Sequence, residues 1–173
     1  MVFFTAVLVV LCFLALAYIF NNIKANENTD GKLEYLISFS DSKASDTEKI
    51  EKIVKALPLG AFANNISIND SKKPYSVDIS YGPNSGKTQS QFEEEYRKAG
   101  EKKAFNFNAT VIFALVNNLD NVNFKIEGNE TALQRTQLES DYGIKFESMN
   151  KNLESIESFA KKLDKDLNLN FIK

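Results

Sequence analysis

The sequence predicts an α+β fold: a four-stranded, mainly antiparallel sheet in a β-α-β-β-α-β-like order, with helices packed on one face. Two further helices follow at the C-terminus, and one transmembrane helix precedes everything. Three observations predict it. Short stretches alternate apolar and polar residues with period two, as half-buried strands do. Longer stretches repeat apolar residues every three or four positions, as amphipathic helices do. The nineteen positions Val2–Phe20 are apolar throughout except for Thr5.

Leu33, Tyr35, Ile37 and Phe39 alternate with Glu34, Leu36 and Ser38 and read as the first strand. Ser45 and Glu48 are spaced as a capping box ahead of Ile50, Ile53, Val54 and Leu57, with Glu48/Lys52 and Glu51/Lys55 paired along one face. This predicts a helix stopped by Pro58 and Gly60. Ile66 and Ile68 mark a second strand, and Tyr75, Val77, Ile79 and Tyr81 a third; the turn-like stretch between them predicts antiparallel pairing. Residues 82–104 are charged and carry Gly82, Pro83 and Gly86, so they read as a mobile excursion with a short helix around Phe92 and Tyr96. Residues 108–117 are apolar on nearly every side, as in a buried helix, although their β-branched content also fits a strand. Val122, Phe124 and Ile126 form the fourth strand. Thr136 and Glu139 cap a short helix closed by Gly143. Met149, Leu153, Ile156, Phe159, Leu163 and Leu167 give the stripe of a longer C-terminal helix. The implied organisation is an anchor over residues 1–20, a tether over 21–32 and a single α+β domain over 33–173.

Val2–Phe20 is long enough to cross a hydrocarbon layer of about 30 Å as a helix. A cleaved secretory signal would carry a basic start and a shorter apolar run. Both are missing here, although Ala15-Leu16-Ala17 offers a small-x-small triplet. Lipidation of Cys12 is disfavoured by Leu11 in the position before it. Orientation is weakly encoded: the only basic residues near the segment are Lys24 and Lys32 after it, which by charge alone places the domain inside.

Composition removes most chemistries. The chain has 173 residues, no histidine and one cysteine, Cys12, inside the apolar segment. A His-ligated metal, a Ser-His-Asp triad, a Cys-His pair and an intrachain disulfide are therefore excluded. Twenty-one basic and 23 acidic residues, scattered along the chain, leave no footprint for nucleic acid. Gly82-Pro83-Asn84-Ser85-Gly86-Lys87-Thr88 resembles a nucleotide loop, but only three residues separate its glycines where four are needed. Ser-x-x-Lys at Ser40/Lys43, Ser148/Lys151 and Ser158/Lys161 lacks the partner motifs of a serine acyltransferase, and Asn-x-Ser/Thr triplets such as those at Asn65, Asn108 and Asn129 are expected by chance in a chain with 19 asparagines. Glu93, Glu94 and Glu95 project around a helix and cannot converge on one atom. No cofactor, metal, nucleotide or catalytic residue is expected.

Arg135 stands out because lysine outnumbers arginine 19 to 2. A planar bidentate donor explains the choice, either in a salt bridge to Asp120, Glu139 or Asp141 that locks the last helices to the sheet, or in holding an anionic ligand. Tyr75 and Tyr81 share one strand face, so both enter the core with their hydroxyls at its rim, where a binding groove is the alternative reading.

Leu57-Pro58-Leu59, Pro74-Tyr75 leading to Tyr81, Asn108-Ala109, Phe113 through Asp120, and Arg135 ahead of Tyr142-Gly143 together resemble the bacterial domain of unknown function family 4825, over about Tyr35 to Leu163. Asn118 and Asp120, within that pattern, complete the candidate binding set of Arg135, Tyr75 and Tyr81. The resemblance implies an extracytoplasmic sensory or accessory domain in a Gram-positive cell envelope, often a lone anchor plus this domain. Its partners would be the membrane and an envelope protein. It also implies the reverse of the charge-based orientation. In other chains such a domain follows membrane metallopeptidase regions related to beta-lactam sensor-transducers, but no metallopeptidase motif exists here. It transfers no active-site residue, and the 82–104 stretch departs from the compact pattern it implies.

Overall fold

The computed structural model describes residues 30–149, 153–169 and 171. The expected transmembrane helix over Val2–Phe20 and most of the tether lie outside the described residues. Among the described residues no helix is long and apolar enough to cross a membrane.

The chain forms helices α1 (Asp30–Ile37) and α2 (Thr47–Ala56), a single 3-10 turn (Gly60–Phe62), and strands β1 (Ala63–Asn69) and β2 (Ser76–Tyr81). Helices α3 (Gln89–Ala99) and α4 (Glu101–Leu115) follow, then β3 (Asn121–Ile126), β4 (Asn129–Gln134), α5 (Arg135–Tyr142), α6 (Phe146–Met149) and α7 (Leu153–Leu167). The four strands lie in the order β1-β2-β3-β4. β1 and β2 are antiparallel, as are β3 and β4, whereas β2 and β3 run parallel. A parallel pair cannot be closed by a tight turn, and α3 with α4 supplies the crossover. The class is α+β with a mixed sheet.

Val77, Ile79 and Tyr81 on β2, with Val122, Phe124 and Ile126 on β3, point into the core. Phe105 of α4 stacks on Phe124 at 4.3 Å between ring centroids. The opposite sheet face holds Ser76, Asp78 and Ser80 beside Asn121, Asn123 and Lys125 in register. Period-two alternation on these two strands therefore reads directly as inside and outside. α4 is the hub: Phe107 through Leu115 are all buried, which accounts for its lack of a polar face. The stripe of α7 buries Ile156, Ala160 and Leu163, while Leu153 at its start stays 50% exposed.

Four expectations are corrected. The first expected strand is helix α1, and Asp30 to Lys32 belong to it rather than to the tether. Leu33 and Leu36 are buried whereas Tyr35 is 45% exposed, so the burial follows a helical spacing that the period-two reading obscured. The strand expected at Val122–Ile126 is β3, and the sheet is completed by β4, which no pattern predicted: it carries one large apolar residue, Leu133, and is exposed along most of its length. It is joined to β3 by Glu127-Gly128, both at positive φ (49° and 84°), a two-residue turn whose twist matches a hairpin. The 82–104 stretch is not an excursion. Thr88 and Gln91 form a reciprocal capping box at the start of α3, and Phe92 is buried to 1% exposure between Phe62 and Tyr96.

The two anticipated capping boxes do not form. Asp46 is the N-cap of α2 and accepts from the Lys43 N–H, and Gln134 precedes α5 without a side-chain cap. Gly143 does close α5, with φ of 63° and the Ile144 N–H bonded to the Glu139 carbonyl.

The corner after α2 is tight. Leu59 sits at φ 63° while staying buried, and the next residue, Gly60, packs on the end of α2. A Cβ at Gly60 would lie 2.4 Å from the Val54 carbonyl oxygen and 2.5 Å from that of Lys55, and both are backbone atoms that cannot step aside. Gly60→Ala is expected to cost about 1–3 kcal/mol; a urea midpoint unchanged from the parent chain would refute this packing.

Candidate functional site

Four of the five expected site residues meet at one pole of the fold: Asn118 and Asp120 lie in the loop 116–120 that carries the chain from α4 to β3, and Tyr75 and Arg135 pack against it. α4 ends inside the protein, so its last carbonyl groups cannot turn to water and must find donors nearby. Ser42 supplies one: its N–H bonds the Leu115 oxygen at 3.0 Å, and its own carbonyl accepts from the Asn117 N–H at 2.9 Å. Arg135 serves the carbonyls just beyond the helix. Its Nε donates to the Leu119 carbonyl at 2.6 Å, and Nη2 donates to the Val116 carbonyl. The guanidinium lies over the rings of Phe113 and Phe146, 5.0 and 5.5 Å from their centroids.

The expected salt bridge from Arg135 to Asp120, Glu139 or Asp141 is thus replaced by hydrogen bonds to carbonyls. Burial lowers the Arg135 pKa, and the charges of Glu139, Asp120 and Glu147 act against that shift. A cation at the carbonyl end of a helix also meets the negative end of its dipole.

Asp120 works mainly through its surroundings on the backbone. Its Oδ2 accepts from the Tyr75 N–H at 2.8 Å, its own N–H donates to the Tyr75 carbonyl at 2.9 Å, and its carbonyl accepts from the Arg135 N–H at 2.9 Å. Asn118 accepts the Ala44 N–H on Oδ1 at 2.7 Å, fixing the approach to α2. Tyr75 is half-buried at the rim, as expected. Tyr81 stands at the other end of β2 and does not join them. Its hydroxyl is buried rather than at a rim, and accepts from Asn108 Nδ2 at 3.2 Å. Burial pushes its pKa upward, with the Asn108 hydrogen bond opposing. Asn108 Nδ2 also donates to the Pro58 carbonyl at 2.9 Å, which pins the corner before Gly60 to the middle of α4. Asn108 is fully buried and its Oδ1 has no partner.

A cavity of about 540 Å³ opens beside the Arg135 cluster, lined by Asn117, Arg135, Glu139, Lys145, Glu147 and Ser148. Three of its ionisable walls, Arg135, Glu139 and Lys145, are engaged. Glu139 Oε2 accepts from Lys145 Nζ at 2.8 Å and Oε1 from the Phe146 N–H at 3.0 Å. The Ser148 hydroxyl donates to the Lys145 carbonyl at 2.7 Å, so it faces no general base. Among the described residues no three Asp, Glu, Cys or His side chains converge as a metal site would require. The arrangement can present donors and acceptors to a ligand; nothing in it activates a nucleophile.

A second concavity, about 620 Å³, lies at the opposite pole under the Leu57–Phe62 corner, and Lys32, Lys55 and Lys87 line it. Sequence reasoning missed it because these lysines come from three separate segments. The only local hint was Lys87, in the turn that resembles a nucleotide loop. That turn closes with the Lys87 N–H on the Asn84 carbonyl and feeds α3.

Two outcomes follow from the Arg135 cluster. Arg135→Lys keeps the charge but cannot reach both carbonyls, and is expected to cost about 1.5–3 kcal/mol in chemical denaturation. Stability equal to the parent would show that the carbonyls need no fork-shaped donor. Glu139 is 10% exposed; burial raises its pKa, but Lys145, the Phe146 N–H and Arg135 together outweigh this and hold it below the usual 4.5. Its contribution is therefore complete above about pH 4.5 and disappears as pH falls through the lowered native value. Glu139→Gln is expected to flatten that part of the stability–pH curve; an identical acid limb in both proteins would rule it out.

No curated protein and no solved structure matches this chain. One family does, described as Domain of unknown function (DUF4825), and its match runs over residues 40–140. That span contains α2, all four strands, the α3–α4 crossover and Arg135, and it ends within α5. It covers more than half of the 173 residues, and the chain belongs to the DUF4825 family.

Proposed function

We propose that this chain is a membrane-anchored extracytoplasmic domain that binds or senses a ligand or protein partner at the bacterial cell envelope and performs no chemistry on it. The apolar Val2–Phe20 segment supports the anchor, since its length suits a single crossing. The resemblance described above supports the extracytoplasmic side.

The observation that carries the binding reading is the cavity beside Arg135. Its Arg135, Glu139, Lys145 and Ser148 side chains already hold backbone or one another, so the site offers a fixed polar surface. The alternative, an accessory subunit of a membrane complex, requires an unused apolar face. The amphipathic helix α7 would have to offer that face, and it buries Ile156, Ala160 and Leu163 in its own core.

The test uses the full chain in bacterial cells. It should remain with membranes after alkaline carbonate extraction, and protease added to intact spheroplasts should remove the folded domain. Release by carbonate would end the anchor reading, and protection from external protease would end the extracytoplasmic one.

A further inference from the structure

The groove under the Leu57–Phe62 corner gathers three lysines from separate segments of the chain. Lys32, Lys55 and Lys87 are exposed along it and form no salt bridge among the described residues. Two of them are held in place by rings on the groove wall. Lys32 Nζ lies 5.1 Å from the centroid of Phe171, and Lys87 Nζ lies 5.9 Å from that of Phe62. The groove also contains Glu94 and Glu95, but both carboxylates are already paired with Lys98, at 2.8 and 3.3 Å. Three cations therefore face one concavity whose anions are neutralised from outside it.

The groove's position in the chain supplies the second argument. Lys32 lies twelve residues after Phe20, so an extended chain lets it stand no more than about 40 Å from the end of the apolar segment. The Arg135 cavity sits at the other end of β2 and α4.

We propose that this groove seats the phosphate groups of anionic lipid headgroups in the bilayer that holds the chain, so that the lysine pole faces the membrane and the Arg135 pole faces away. The inference rests on the anchor reading above. Lysine is suited to such a surface because it meets phosphate as a point charge and demands no single geometry. Each lysine within a Debye length of anionic lipid strengthens the contact several-fold, and the contact weakens with salt.

The full chain is reconstituted in phosphatidylcholine vesicles and in equimolar phosphatidylcholine–phosphatidylglycerol vesicles, and insertion is checked by flotation. A water-soluble acetylating reagent is then added, and each lysine is read by mass spectrometry. Lys32, Lys55 and Lys87 are expected to react several-fold more slowly in the anionic vesicles and to recover in high salt. Lys72, Lys125 and Lys145 should react alike in both. Lys55→Glu should return Lys32 and Lys87 to their phosphatidylcholine rates. If the chain floats and the three lysines react equally in both vesicles, this inference falls and the anchor reading stands. If the chain does not float, both fall. Equal protection by inorganic phosphate in phosphatidylcholine vesicles would overturn the lipid assignment.

Discussion

The constraint on which the structure depends is the burial of α4 up to its carbonyl end. A helix lying wholly inside a protein leaves its last carbonyls without water, and each unpaired one costs about 1–3 kcal/mol. Ser42 answers that demand at Leu115 and Arg135 carries it on into the loop, at the Val116 and Leu119 carbonyls, and both then define where their own segments lie. Arg135 fixes the junction of β4 and α5, and Ser42 fixes the approach to α2. Asp120, held between Tyr75 and Arg135, ties the first residues of β2 and β3 to the same point. One polar hub therefore sets the register of the parallel strand pair, which no turn could set.

Most of the residues named as a candidate binding set also hold the fold together. Arg135, Asp120 and Asn118 each satisfy backbone groups, and Tyr81 is sealed into the core. Their unusual character in the sequence was real, since an arginine among lysines and a run of asparagine and aspartate in a loop mark strong local demands. The demand came from the helix end. A cavity survives beside the hub, and its rigidity is the property a recognition surface needs. At the other pole the three lysines are spared from ion pairs, while Lys52, Lys98 and Lys145 are each paired.

Legibility tracked burial. β2 and β3 have one face in the core and one outside, so alternation named them and their faces correctly, and α4 was recognised by the absence of any polar face. β4 was missed because an edge strand with one half-buried leucine has no pattern to read; Gly128 in its turn was the signal available. α1 was misread because Leu33, Tyr35, Leu36, Ile37 and Phe39 fit both periods, and packing against α2 and α7 chose the helix. α3 looked mobile from its charge, yet one phenylalanine, Phe92, holds it down.

By itself the sequence determined the class, the two central strands, the buried helix, the absence of histidine and usable cysteine chemistry, and the apolar segment at its start. These follow from composition and short-range periodicity, which act within one element. The tertiary structure decided what Arg135 does, which strand completes the sheet, that β2 and β3 run parallel, and that three distant lysines share a groove. Each of those depends on which segments meet in space. A residue's neighbours across the fold are set by the simultaneous burial of all the elements, and no window along the chain contains them.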